Sequence, residues 1–134
     1  MAKTDALSAG AVTFLLEGHI AHFVTLMPDG SPQATAVWVD SDRDGRHVLV
    51  NCRHDRIKVN NARRDPRVVV SVIDPSNWRR YTIVRGRVVE LRTAGAEEHY
   101  QQLEQRYVGK SSSQPPDGRI VLYIKPDYVL EREV

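Results

Sequence analysis

The order of apolar and polar positions divides the chain into six β-like runs and three helical ones. IAHFVTLM (20–27) alternates and predicts a strand. The turn PDGSP follows, with Asp29-Gly30 as a hairpin signal, and QATAVWVD (33–40) is the return strand. After the turn SDRDGR comes HVLVNC (47–52), so three consecutive strands form a meander that favours an antiparallel sheet. RVVVSVID (67–74) is strongly β, and its unbroken apolar run predicts burial on both faces. After the turn DPSNW, YTIVRGRVVEL (81–91) carries Gly86 inside it, the mark of a bulge or sharp bend. RIVLYIKPDYVLE (119–131) closes the pattern, with Pro126 predicting an edge or a bend.

The helical runs sit between these strands. Ser8 is placed to cap a first helix, Leu7 and Val12 occupy the positions of a hydrophobic staple, and Gly18 stops it. DRIKVNNARRD (55–65) reads as a short helix ended before Pro66. A third helix begins near Thr93, with Glu97 and Glu98 at its positive end and Gly109 closing it. Tyr100, Leu103 and Tyr107 lie on one of its faces. KSSSQPPDG (110–118) is a polar, proline-containing loop and the expected mobile part of the chain. The expectation is one domain over residues 1–134, mainly β (α+β): a six-stranded antiparallel barrel with peripheral helices, closing its own edges.

Composition changes this picture little. The apolar content of 41% and charged content of 27% suit a folded globular domain. Cys52 is the single cysteine, which excludes an intrachain disulfide and makes a reducing cytoplasm the expected compartment. The N-terminal apolar stretch is too short for a signal peptide, and no run approaches the ~18 residues needed to span a bilayer. A net charge of +2 falls short of the clustered excess of a dedicated nucleic-acid module.

Candidate chemistry narrows to two clusters. The histidines lack metal-ligand spacing: His19 and His22 are three apart on a predicted strand and face opposite ways, while His47, His54 and His99 stand alone. No metal site is expected. Cys52 reads as a small buried thiol, with Arg53, His54 and Arg56 the neighbours that could make it reactive. No G-x-S-x-G, P-loop or G-x-G-x-x-G is present. The first cluster is the basic helix, where Arg56 and Lys58 fall in the first turn beside unpaired amides and the positive end of the dipole. Asp55 could cap those amides and would repel an anion. Arg63, Arg64 and Arg67 come later and read as solvated charge or partners of the helix end. An anion site, a solvated face and a nucleic-acid contact all remain open, the last weakened by the absence of aromatics between Asn51 and Val70. The second cluster is NWRRY (77–81), whose Trp78 and Tyr81 beside two arginines would stack on a planar ring or form an aromatic pair at the barrel mouth.

FVTLMPDGSPQATAVWVD, VLVNCRHDRIKVNNARRDPRVVVSVIDP, W-R-R-Y with VRGRVVE, and the closing strand together resemble a known family. It is the split β-barrel family related to pyridoxamine 5′-phosphate oxidase, and the likeness is closest to its F420-dependent (deazaflavin) oxidoreductase branch. The resemblance implies a homodimeric split barrel with two cofactor sites at the subunit interface. Arg56 and Lys58, with Ile57 between them, would hold the cofactor phosphate, and Asn51 would sit beside the bound chain. Pro32, Gln33 and Thr35 would line the tricyclic ring, while Trp78, Arg80 and Tyr81 would come from the second subunit. The cofactor would be F420, with FMN as the alternative. The chain ends at LEREV, without the basic C-terminal part of true pyridoxamine phosphate oxidases, so vitamin B6 oxidation is not expected. The expected reaction is hydride transfer between reduced F420 and a small conjugated organic acceptor. The alternatives are an FMN-binding flavin reductase or oxidase, or a non-catalytic flavin- or F420-sequestering protein. No catalytic residue is assigned; Tyr81 and His22 are the polar groups considered as proton sources. Neither nucleic acid nor a membrane is an expected partner.

Overall fold

A computed structural model describes residues 2–112 and 116–133; residues 113–115 of the expected mobile loop lie outside that range. Three helices, α1 (Ala9–Leu15), α2 (Ile57–Arg64) and α3 (Ala96–Val108), surround a sheet. Its strands are β1 (Ala2–Lys3), β2 (Ala21–Leu26), β3 (Pro32–Val37), β4 (Val39–Ser41), β5 (Val48–Arg53), β6 (Arg67–Asp74), β7 (Asn77–Arg92) and β8 (Arg119–Arg132). The order is β3-β2-β6-β7-β8-β5-β4, with β1 on β8, and every pairing is antiparallel.

The two ends of this order, β3 and β4, are consecutive in the chain and separated only by Trp38. Two Cα atoms one residue apart lie within about 7 Å, so the sheet has to curl until its outermost strands meet. The predicted strand 33–40 is therefore shared: its first part pairs with β2, as Thr35 with Phe23, and its last part with β5, as Val39 with Val50. The other five expected strands are all present, and β1 adds a short ribbon on β8.

Interior side chains are mostly β-branched, which suits a pleated, crowded surface. Phe23, Val48, Val50, Val70, Val72, Leu122 and Ile124 are buried with Phe14 and Leu15 of α1. Burial on both faces occurs in β5 rather than β6. In β6 the alternation is regular, with Val68, Val70 and Val72 inside and Val69 and Ser71 half-buried. In β5, Val48 to Cys52 are all buried, because Leu49 packs outside the barrel with Ala96 of α3, Val121 and Tyr123.

Local signals explain the remaining joints. The Ser8 side chain accepts a hydrogen bond from the Ala11 amide, and Leu7 and Val12 share the core. At Gly86 the β7–β8 register shifts, and a Cβ there would stand 2.3 Å from the Lys125 carbonyl oxygen. Pro126 lies opposite this bulge, in a gap between the stretch of β8 paired with β5 and the stretch paired with β1. A bend is thus present, although β8 is an interior strand and no edge. β7 begins at Asn77, four residues before the predicted start, so Trp78 and Arg80 belong to the strand.

Candidate functional site

The β5–α2 corner collects the basic residues. The His54 amide donates to the Gly118 carbonyl at 2.8 Å, tying the corner to the start of β8. Arg56 is the N-cap of α2 in extended conformation, and no side chain caps the first turn. The first helical bond runs from the Val59 amide to the Arg56 carbonyl, so the amides of Ile57 and Lys58 have no partner among the described residues. Asp55 leaves them open, since its carboxylate accepts from Arg53 Nε at 3.4 Å and that contact holds its pKa below the usual carboxylate range.

Two cavities meet here. One, of about 400 Å³, is lined by Gln33 and Thr35 of β3 with Asp55, Arg56, Ile57 and Lys58. The other, of about 410 Å³, is lined by Trp38, Asn51, Arg53, Tyr100 and Arg119 among others, and shares Arg56 and Lys58 with the first. Lys58 Nζ donates to Thr35 Oγ1 at 3.2 Å, joining α2 to β3. No carboxylate pairs with Lys58 or Arg56 among the described residues. Burial, aided by Arg56 and Arg119, pushes the Lys58 ammonium below its ordinary pKa, and burial lowers Arg119 likewise. The Cys52 thiol is raised by burial, the mark of a packed side chain and no activated nucleophile.

The wall of the second cavity is a connected polar network. Arg119 Nε donates to Asn51 Oδ1 at 2.8 Å, and its guanidinium lies over Tyr100 at 4.3 Å. Asn51 Nδ2 donates to the Ala96 carbonyl at 2.8 Å and to His99 Nδ1 at 3.1 Å. Accepting there, His99 carries its proton on Nε2 and donates it to Asp40 at 2.9 Å. Arg106 completes the series, donating to the other Asp40 oxygen at 3.0 Å. Burial raises the Asp40 carboxyl, but the His99 and Arg106 contacts outweigh it and the pKa falls below the ordinary value. Trp38 stacks between Tyr100 and Tyr107 at 5.6 and 5.1 Å.

Of the residues expected at a cofactor site, Gln33, Thr35, Arg56, Ile57 and Lys58 share one cavity, and Asn51 lines the adjoining one. Pro32 starts β3, exposed, and lines neither. Trp78, Arg80 and Tyr81 stand elsewhere, near the β6–β7 turn. Trp78 is 66% exposed with Arg79 over its ring. Arg80 is engaged within the chain, donating to Glu17 at 2.7 Å and Asp74 at 3.3 Å and covering Phe14. Arg63 is exposed, Arg64 bonds the Leu26 carbonyl and Asn61, and Arg67 pairs with Asp65 at 2.7 Å. None of these three lines either cavity. Sequence reasoning missed Arg119, Tyr100 and Trp38 as site residues. Tyr100 and Trp38 carried an aromatic signal, whereas Arg119 carried only its position after a loop.

The residues fit a phosphorylated planar cofactor. Two cations and two helix amides without a partner among the described residues match a phosphate, and the buried Gln33 Oε1, also without a partner among them, can accept from a ring N–H. A curled antiparallel sheet with such a corner defines a small barrel with a basic, cavity-lined rim. The family model described as pyridoxamine 5′-phosphate oxidase matches residues 7–133, and the chain belongs to that family. Among solved structures it is similar to an F420 reductase, at 30% identity and a TM-score of 0.82, over 92% of this chain and 98% of that one. A conserved hypothetical protein from Mycobacterium tuberculosis matches at 19% identity and TM-score 0.78, over 99% of this chain and 89% of that one. General Stress Protein 26 from Bacillus anthracis matches at 13% and 0.69, over 92% of each chain. The last two likenesses concern the fold. A search of curated proteins finds no match. No helix of the described residues is long and apolar enough to cross a membrane.

Proposed function

We propose that this protein is an oxidoreductase that binds F420 and moves a hydride between the reduced cofactor and a small conjugated organic acceptor. The observation that carries this reading is the pair of cavities joined at Arg56 and Lys58. A flavin mononucleotide ends at its phosphate, so it would fill the Gln33–Thr35 side and leave the basic second cavity unused. A deazaflavin whose phosphate bears a further anionic chain suits both. The 30% identity to an F420 reductase supports the same choice.

In this reading Arg56, Lys58 and the first-turn amides of α2 hold the phosphate. Thr35 positions Lys58 by accepting its hydrogen bond, and Gln33 Oε1 accepts from the ring edge. The bound deazaflavin supplies the hydride chemistry itself. Two copies of the chain form the working unit, with Trp78 and Tyr81 of one copy covering the ring held by the other. Arg80 remains with Glu17 as a strut.

Fluorescence titration with F420 and with FMN tests the assignment. Wild-type protein binds F420 below micromolar, and Arg56→Ala and Lys58→Ala each weaken it about tenfold or more, as loss of a charge-assisted contact requires. Tighter binding of FMN than F420 would refute the choice of cofactor. Unchanged affinity in both variants would remove the phosphate corner. Oxidation of reduced F420 by an enone, followed by absorbance, separates turnover from sequestration.

A further inference from the structure

We propose that His99 is a proton-operated latch on Arg119: the neutral ring fixes the Asn51 amide that holds the arginine, and a proton added at Nδ1 releases that hold. The inference concerns the free protein and is independent of which cofactor the chain takes. Chemistry fixes the direction of each hydrogen bond around Asn51. Arg119 can only donate, so the atom it meets at 2.8 Å is Oδ1. The Ala96 carbonyl can only accept, so the atom it meets at 2.8 Å is Nδ2. Turning the amide over would set donor against donor at Arg119 and acceptor against acceptor at Ala96. The other Nδ2 hydrogen therefore points at His99 Nδ1, 3.1 Å away, and that nitrogen has to be bare. The one proton of the ring sits on Nε2, 2.9 Å from an Asp40 oxygen.

A second proton breaks this set at one place. Histidine is the side chain whose charge changes between about pH 5 and 8. On the Asp40 side the contact survives as an ion pair, since Asp40 stays ionised: burial raises its carboxyl, but His99 and Arg106 outweigh that. On the Asn51 side two N–H groups now face each other. Asn51 is 7% exposed and the His99 side chain 13%, so solvent does little to relieve the conflict. The amide plane turns about its soft terminal torsion, and Oδ1, which belongs to the same plane, leaves Arg119 Nε. The charged groups joined to the ring, directly or through one residue, are Asp40 of β4, Arg106 of α3 and Arg119 of β8. The two arginines add to the cost of the new charge. Released from Asn51, Arg119 keeps the face of Tyr100 at 4.3 Å. Neutral His99 thus bridges β4 and β5, while the charged ring holds to β4 alone. The wall of the second cavity is set at neutral pH and slack in mild acid, and His99 is a positioning residue within it.

Heteronuclear NMR of the ligand-free protein, taken from about pH 8 to about pH 5, reads both ends of the latch. The Arg119 Nε–H signal is assigned by its loss in Arg119→Lys. At the upper end His99 shows the Nε2–H tautomer. As the ring titrates, the Arg119 Nε–H signal moves with the same midpoint. In His99→Gln the new amide can accept from Asn51 and donate to Asp40 without titrating, so the transition at Arg119 disappears. At the acid end Arg119 Nε–H exchanges with water about tenfold faster in wild type than in His99→Gln, the scale of one lost hydrogen bond. A neutral ring with its proton on Nδ1, or a ring that takes up no proton over this range, overturns the latch. So does an Arg119 signal that ignores the His99 titration, or the same transition persisting in His99→Gln. If His99→Gln does not fold, the tautomer and the paired titrations in wild type decide the matter. No cofactor is present in the experiment, so each of these outcomes leaves the phosphate corner untouched.

Discussion

Replacing Lys58 by methionine should stabilise the free protein while it cripples ligand binding. The ammonium is half-buried, faces Arg56 and Arg119, and among the described residues has one neutral partner, Thr35 Oγ1 at 3.2 Å. Removing a charge from full burial would relieve several kcal/mol, and at half burial roughly 2 kcal/mol. Losing the Thr35 bond costs about 1 kcal/mol, and methionine keeps most of the apolar stem in place. Relief therefore wins by about 1 kcal/mol, which for a chain of this size raises Tm by roughly 4 °C. The pH dependence separates this cause from better packing. The folded pKa of Lys58 lies below its unfolded value, so between the two the unfolded chain binds more protons and wild-type stability rises with pH. Below the folded pKa the penalty is present in full. The Lys58→Met protein lacks that rise, so its advantage is largest at neutral pH and shrinks in alkali. Thermal melts from pH 7 to 10.5, with and without inorganic phosphate, read all of this. A lower Tm for the variant at pH 7, or an advantage constant with pH, would refute the reasoning.

Two further outcomes test the scaffold. Gly86→Ala drives a Cβ into the Lys125 carbonyl and should cost about 3 kcal/mol, seen as a lower urea midpoint with an unchanged slope. Glu17 is held down to about 2 by its hydrogen bond to Arg80, so it stabilises the fold above its unfolded pKa near ~4.3 and loses that contribution as pH falls toward 2. Because the pair is partly accessible and screened, Glu17→Gln should lose only roughly 1 kcal/mol at pH 7. Urea midpoints should show its difference from wild type shrinking steadily below the unfolded pKa and vanishing only as pH falls through about 2, and a gap that stays constant across that range would count against the pairing.

The strands were legible because apolar alternation records which side chains face a core, and Ser8, Gly86 and Gly109 announced their joints through local chemistry. The division of 33–40 at Trp38 was hidden, because nothing within one strand says that its halves have different neighbours. The double burial of β5 was hidden for a related reason: it depends on α3 arriving from a remote part of the chain. At the site, Arg56 and Lys58 could be read from their helical position. Whether Asp55 would cap α2 was settled by a rotamer, the one facing Arg53. Arg119 meets Asn51 only through the β5–β8 register, which pairs Arg53 with Arg119 and Cys52 with Ile120 and which one sequence does not print.

The joint at Trp38 also bears on how the fold comes apart. An ordinary open sheet frays from either edge, one outer strand at a time, while the rest stays intact. Here the outer strands are one continuous segment, so loosening β3 from β2 pulls on β4 and through it on β5. The wall holding Gln33 and Thr35 and the wall holding Asn51 are thereby joined through one covalent segment. Local opening of β3 is therefore expected to involve β4 as well, so that amide exchange in the two strands shares one opening free energy.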